Sequence, residues 1–517
     1  MLWWIFMACT GWKPSGEGEP SYYSCGDVEG ATRRNRDGAY RYGDHAIVPC
    51  RTLVFSGAVV LPSGGPGKPG GVLVGSRTYF KLDSESEAKP DVWPNGSSGT
   101  YEKRAIVYKR DLDPTRSGVE ILEKEPGTDI ELPTLVDFLG APPDTYVVTS
   151  DFYADMDGDG MEDLILYGPP ASTTWLRGTA DGLSTEPSAT VVPFTTLPMG
   201  DLTGDGVTDL ARFIREVRTV GDEEREVLLL AVQPMPVEGA IEDGSWDILL
   251  GTDLYDRTGG PDGSSALTAL VRGGFDHNGD GIADVAVGNS FEGQSSGDHP
   301  VPGSVNIFDG PILESRSGEE TDSLLSVHGV PCEEATAYLK CDEVGTSIKS
   351  AGDQNGDGYD DLLIANRSFY QDGRTNYKGE LYVMNGPFDG PMDIRELSAA
   401  RLEGGHSFAS FPDMMQGGGD LDGDGLMDVL VAQISGREES GLYAHHGPIE
   451  GVRDWKEGTR ICDTWGSSDC VAFNQDVDGD GIHDLVLQTG RSYYSLHFWY
   501  SSVSDEFPRP GSDCFDD

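Results

Sequence analysis

Six nine-residue segments bring oxygen donors together at one fixed spacing: DMDGDGMED beginning at Asp155, DLTGDGVTD at Asp201, DHNGDGIAD at Asp276, DQNGDGYDD at Asp353, DLDGDGLMD at Asp420 and DVDGDGIHD at Asp476. Hard divalent cations such as calcium take six to eight oxygen ligands, and alternate side chains of such a loop, with the carbonyl of position 7, supply them. Read this way, the ligands are Asp155, Asp157, Asp159, Met161 and Asp163 in the first loop, and Asp201, Thr203, Asp205, Val207 and Asp209 in the second. In the third and fourth they are Asp276, Asn278, Asp280, Ile282 and Asp284, then Asp353, Asn355, Asp357, Tyr359 and Asp361. The last two offer Asp420, Asp422, Asp424, Leu426 and Asp428, then Asp476, Asp478, Asp480, Ile482 and Asp484. Thr203 lacks a carboxylate, so the second loop is expected to be the weakest. Asn278 and Asn355 keep the oxygen and lose the charge.

Asp-Gly clusters are also ordinary turn chemistry, but six copies in one register ask for more than turns. The loops are not EF-hands. Position 12, where that motif closes with Glu, holds Leu166, Arg212, Val287, Ile364, Val431 and Leu487. Each loop ends instead on Asp at position 9 and runs directly into apolar residues such as Leu362, Leu363 and Ile364, the pattern of a buried strand. Glycines at positions 4 and 6 allow the positive φ that a tight wrap around an ion requires. The loops therefore join strands, and they begin 46, 75, 77, 67 and 56 residues apart, about one four-stranded unit each.

The repeat resembles the FG-GAP family, the calcium-binding β-propeller repeats of the integrin α-subunit head and of bacterial surface proteins. The likeness rests on the loops, on the entry Gly345-Thr346-Ser347-Ile348 with Val344 in place of the family's Phe, and on a Gly-x-hydrophobic-x-hydrophobic-x-x-Gly-Pro signature. That signature spans 303–311 and 379–387 and, less strictly, 440–448. The resemblance implies an all-β fold, a seven-bladed β-propeller of four-stranded antiparallel blades, over residues 40–505. Six blades carry metal loops; Gly71 to Gly75 and Arg104 to Tyr108 repeat the strand rhythm of a seventh whose hairpin, 62–70, has lost its metal. Six metal blades with an unrelated N-terminal module is the other count. Residues 40–55 are expected to supply a strand that closes the ring. The family's ions rigidify the blades, so up to six structural Ca²⁺ are expected here.

Asp and Glu number 88 against 37 Lys and Arg, a formal charge of −51, which excludes a nucleic-acid backbone as partner. Positions 1, 3, 5 and 9 hold 21 of those carboxylates, and six calcium ions would cancel 12 charges. Residues 2–8 are apolar and end at Cys9, too short a run to span a bilayer. They resemble the end of a bacterial lipoprotein signal, with lipidation at Cys9, although no Lys or Arg precedes them; a truncated secretory signal is the alternative. Residues 9–39 then form a polar tether and 506–517 a tail. Cys332 with Cys341, and Cys462 with Cys470, are spaced to close small loops by disulfides in an oxidising compartment. Cys25 with Cys50 is a further candidate pair, which leaves Cys514 unpaired if Cys9 is acylated, and the connectivity of these three is not fixed by the sequence.

Nine histidines show no metal-ligand helical spacing, and neither a nucleophile elbow nor a phosphate-binding Gly-rich loop occurs. The expectation is a monomeric, non-enzymatic surface module that binds a protein or a polysaccharide through blade-connecting loops. Candidates are 290–302, 332–341 and 368–378, with Phe291, Phe369 and Tyr370. A polysaccharide lyase or hydrolase in the central funnel is the alternative.

Overall fold

A computed structural model of the chain describes five strands between residues 45 and 122, and from 148 to 501 all residues except 169–171, 180–181, 189–191, 193–195, 221–222, 236–245, 247, 256–270, 290–302, 317–324, 330–341, 367–368, 372–373, 377–378, 389–391, 406–410, 434–440, 463–467, 490–494 and 500. The segments 1–8, 9–39 and 506–517, with Cys9, Cys332 and Cys341, lie outside the described residues.

Every acidic loop joins the first strand of an antiparallel sheet to the second. The first such blade is Val148–Ala154, Asp163–Gly168, Ser172–Thr179 and Gly182–Pro187. The second is Leu197–Pro198, Leu210–Val220, Glu223–Gln233 and Ile248–Tyr255, and the third is Val271–Phe275, Asp284–Asn289, Ser304–Phe308 and Leu325–His328. Val344–Gly352, Asp361–Asn366, Glu380–Met384 and Ala400–Glu403 make the fourth. Met414–Gly419, Asp428–Gln433, Gly441–His445 and Thr459–Cys462 make the fifth. The sixth has Ser468–Gln475, Asp484–Thr489 and Ser495–Trp499, and its outer strand comes from the other end of the chain: His45–Pro49 pairs antiparallel with Ser495–Trp499, Ala46 opposite His497. The closing strand thus falls inside the expected 40–55. Phe55 belongs instead to Val54–Leu61, which with Gly71–Lys81 and Tyr101–Asp111 forms a three-stranded N-terminal sheet. Val54–Leu61 lies against Val148–Ala154 on one side and Ser468–Gln475 on the other, between the innermost strands of the first and sixth loop-bearing blades.

The second strands are apolar at successive residues because both of their faces are covered. Every residue of Asp361–Asn366 and Asp428–Gln433 is buried, and a strand packed on two sides reads as a continuous hydrophobic run rather than an alternating one. The core is accordingly divided into layers between adjacent blades. Val285 and Val287 pack with Leu230 and Val232 of the second blade, whereas Ala286 faces Ile348 and Leu362 of the fourth. Leu363 and Leu381 meet Val429 and Val431, and Leu430 and Leu442 meet Leu485 and Leu487. Each blade is stable only with a neighbour on either side, as in other repeat architectures.

Outer edges are covered by a recurring device. The connection between the third and fourth strands of one blade adds a short parallel strand to the outer strand of the blade before it. Met392–Asp393 pairs with Val327 and His328, Gly451–Asp454 pairs with Ala400–Glu403, and Arg316 bridges to Leu250. Gly118–Leu122, which follows the N-terminal sheet, pairs in the same parallel sense with His45–Pro49 on the sixth blade. Unpaired edge strands invite aggregation, and these additions cover them.

Candidate metal loops

Positions 4 and 6 adopt positive φ in all six loops, from 72° at Gly423 to 94° at Gly481. That wrap turns the amides of the loop inward onto position 1. Asp155 Oδ1 accepts from Gly158 N–H (2.7 Å) and its Oδ2 from Gly160 N–H (2.8 Å). Asp201, Asp276, Asp353, Asp420 and Asp476 each repeat this pair of bonds. At position 5, one carboxylate oxygen accepts from the amide of position 7, as with Asp159 and Met161 (2.9 Å).

Position 9 closes each loop from the buried side. One oxygen takes the amide of position 2, and the other takes an amide at or just beyond the end of the third strand: Gly178 for Asp163, Met235 for Asp209, Gly310 for Asp284, Gly386 for Asp361, Gly447 for Asp428 and Ser501 for Asp484. The glycine of the Gly-Pro signature is therefore a cap on the acidic loop. A Cβ at Gly447 would lie 2.4 Å from the Gln354 carbonyl, which explains why the slot stays small.

The donor set suits a divalent cation. Asp155, Asp157 and Asp163, Asp420, Asp422 and Asp424, and Asp476, Asp478 and Asp484 each hold ligand atoms within 4.8 Å of one another. In the other three loops position 3 is Thr203, Asn278 or Asn355, and the Thr203 hydroxyl oxygen is buried without a well-directed hydrogen bond. Burial, with neighbouring carboxylates adding to it, pushes the metal-free acids at position 9 upward: Asp163, Asp209 and Asp284 to about 6, Asp361 to about 7 and Asp484 to about 8. At neutral pH a substantial fraction of Asp361 and Asp484 is protonated in the metal-free fold, and a cation would supply the countercharge that favours their ionised forms.

Neighbouring loops are joined in a way the motif alone does not reveal. The amide of position 8 donates to the carbonyl of position 1 in the preceding blade: Thr208 to Asp155, Ala283 to Asp201, Asp360 to Asp276, Met427 to Asp353 and His483 to Asp420, at 2.9 to 3.2 Å. The side chain of position 7 then covers the glycine at position 4 of that preceding loop. A Cβ on Gly158 would meet Val207 at 3.0 Å, on Gly279 Tyr359 at 2.9 Å and on Gly356 Leu426 at 2.9 Å. Position 2 adds cross-links where it is polar. The Gln354 side chain donates to Asn385 (2.7 Å) and accepts from Ile449 N–H of the next blade (2.7 Å). His277 contacts Asp309 through Nε2 (2.8 Å) and accepts from Phe388 N–H at Nδ1 (3.3 Å).

Strand direction divides the molecule into two ends. All six acidic loops join first to second strands and share one end; the connections from second to third strand, and from fourth strand to the next blade, share the other. The segments 290–302, 332–341 and 368–378 connect strands at that second end. Of these, Phe369–Gln371 and Arg374–Asn376 are described and form a small antiparallel ribbon. Cys462 ends the outer strand of the fifth blade and Cys470 lies in the innermost strand of the sixth.

Stacked four-stranded antiparallel blades with an acidic loop in the first hairpin define a β-propeller with cation-type loops. The family model of the FG-GAP repeat matches residues 346–384, which run from the innermost strand of the fourth blade through its acidic loop to the end of its third strand. The chain is similar to integrin alpha-5 of Xenopus laevis, 30% identical over 177 residues, which is 32% of this chain and 16% of that protein. It is also similar to integrin alpha-V of Gallus gallus, 29% over 226 residues (41% and 19%), and to integrin alpha pat-2 of Caenorhabditis elegans, 36% over 91 residues (17% and 7%). The chain thus carries an FG-GAP repeat and is similar to integrin alpha subunits, and it spans less than a fifth of the length of these relatives.

Proposed function

We propose that the chain is an extracytoplasmic binding module: a seven-bladed propeller stabilised by up to six calcium ions, holding a protein or polysaccharide ligand at the end opposite its metal loops. The observation that carries this reading is the strand polarity. It gathers six acidic loops at one end, while the blade connections through 290–302, 332–341 and 368–378 leave from the other, so the ions stiffen the scaffold and these connections remain available for contact. Seven blades are supported by the N-terminal sheet, which lies between the first and sixth loop-bearing blades and whose following strand, Gly118–Leu122, adds to the sixth blade as the other connections do to theirs. Calcium is supported by a donor set made almost wholly of oxygens. A site with a dissociation constant near 10 µM in millimolar calcium would gain about 2.7 kcal/mol.

In this reading Cys9 is lipidated and residues 9–39 tether the propeller to a bacterial surface. The disulfide Cys332–Cys341 closes a ligand-side loop, and Cys462–Cys470 ties the fifth blade to the sixth. The module acts as a monomer and without catalysis. The test is retention of a panel of surface proteins and polysaccharides by the calcium-loaded full chain, compared with a variant whose 369–376 ribbon is replaced by Gly-Ser. A ligand held intact, and lost in the variant while its melting temperature stays unchanged, is the expected result. Cleavage of the ligand would overturn the reading in favour of a central-funnel lyase or hydrolase.

A further inference from the structure

One structural slot recurs beside the acidic loops: the residue just before the amide that caps position 9. It holds Arg177 in the first blade, Asp309 in the third, Asn385 in the fourth and His446 in the fifth. Where position 2 is polar, this residue bonds to it, as Asp309 does with His277 and Asn385 with Gln354. In the first and fifth loops position 2 is apolar: Met156 and Leu421 are both buried in the core and offer nothing to bond. The slot residue then turns to the carboxylates. Arg177 Nη2 lies 2.6 Å from Asp157 Oδ2, and His446 Nδ1 lies 3.3 Å from both Asp422 Oδ2 and Asp428 Oδ2.

These two cases differ chemically. A guanidinium has no lone pair and only neutralises Asp157, whereas a neutral imidazole is a metal ligand. His446 Nδ1 is enclosed between the Asp422 and Asp428 carboxylates, and the three form a group whose ligand atoms all lie within 4.8 Å. Ligand atoms about 2.1 Å from a common ion, at angles between right and tetrahedral, stand about 3.0 to 3.4 Å apart, so 3.3 Å separations suit a single shared ion. Two features hold the ring in place. Gly447 N–H, the next amide along, is fixed on Asp428 Oδ1, and the adjacent His445 is held away by Nε2 contact with the Trp455 carbonyl (2.9 Å).

His277 of the third loop also lies near its position-9 carboxylate, 3.8 Å from Asp284 Oδ2, but both of its ring nitrogens are engaged, by Asp309 and by Phe388 N–H; we propose that in the fifth loop His446 Nδ1 instead joins Asp422 and Asp428, beside Asp420, Asp424 and the Leu426 carbonyl, to make a mixed nitrogen and oxygen site that selects a first-row transition metal over calcium. Imidazole favours zinc, nickel and similar ions, while calcium takes oxygen alone. The inference rests on the reading that the acidic loops hold divalent cations.

The test uses the full chain, stripped by chelator, then loaded with cobalt(II) in excess calcium; bound metals are counted and the visible ligand-field spectrum recorded. One cobalt per chain should persist against calcium with a nitrogen-containing spectrum. In His446→Asn, which copies Asn385, and in His446→Gln, cobalt affinity should fall by about tenfold or more, with calcium retained in the other loops and a cooperative melt confirming folding. Cobalt fully displaced by calcium, or a spectrum unmoved in both folded variants, would overturn the inference while leaving the calcium loops standing. Failure of the wild-type chain to bind any calcium would overturn the broader reading instead.

Discussion

Among single residues, position 9 separates from the other ligands. Its carboxylate is fully buried and saturated by backbone amides; Asp484 accepts from Val477, Asp478 and Ser501. Asp484→Asn would set an amide donor against those donors and destabilise the chain by about 1–3 kcal/mol, read as a lower melting temperature even in saturating calcium. Thr203→Asp has the opposite sign: a carboxylate added at position 3 should raise calcium affinity at the second loop, measurable by titration calorimetry. The raised position-9 acids also set a pH dependence. In the metal-free fold Asp361 ionises at about 7 and Asp484 at about 8, against about 3.9 in an unfolded chain. Their contribution to stability is therefore complete below about pH 4 and is lost as pH rises through the folded values. The metal-free melting temperature should fall between pH 5 and 8. The increment from calcium, which needs the ionised forms, should grow over the same interval. A metal-free chain that gains stability across this window would contradict the assignment.

At the scale of elements, the acidic loop was legible because its donors lie within nine residues, and each second strand because burial on both faces leaves an unbroken apolar run. The links between loops were not legible. Gln354 reaches Ile449 and His277 reaches Phe388, pairs separated by 95 and 111 residues, and no local pattern marks such partners. The loop motif uses only the carbonyl of position 7, yet its side chain also packs over the preceding glycine, so Gly279 is required twice, for φ of +75° and for clearance of Tyr359. Gly279→Ala should consequently disturb two neighbouring loops. Calcium titration of that variant should show weakened binding at the third and fourth sites, and weakening confined to one site would argue that the loops act independently. The slot before the capping amide is illegible in sequence for a different reason: Arg177, Asp309, Asn385 and His446 share a position but no chemistry, so within the chain they are four unrelated residues.

For the whole molecule, closure is the property on which the rest depends. Blades linked only to their neighbours behave as a line of coupled units, and a line has two vulnerable ends unless it is joined. Here the join is made by residues from opposite ends of the chain: His45–Pro49 completes the sixth blade and is itself covered by the parallel Gly118–Leu122. Ile47, opposite Leu496 on one side and Glu120 on the other, sits at the middle of that junction. Ile47→Pro removes an amide from a strand paired on both sides and should cost about 1–3 kcal/mol. The consequence should also reach beyond the local bond, because Asp484 is capped by Ser501, two residues past the end of the third strand of the same blade. Calcium should bind less tightly at the sixth loop, and hydrogen exchange should quicken in Ser468–Gln475 and Val54–Leu61 together. The matched control is Arg460→Pro, in the outer strand of the fifth blade, where the chain itself connects third strand to fourth. If closure is what the terminal strand provides, Ile47→Pro loosens both flanking sheets while Arg460→Pro loosens only its own blade. Equal and local effects from the two substitutions would mean that the ring holds without its seam.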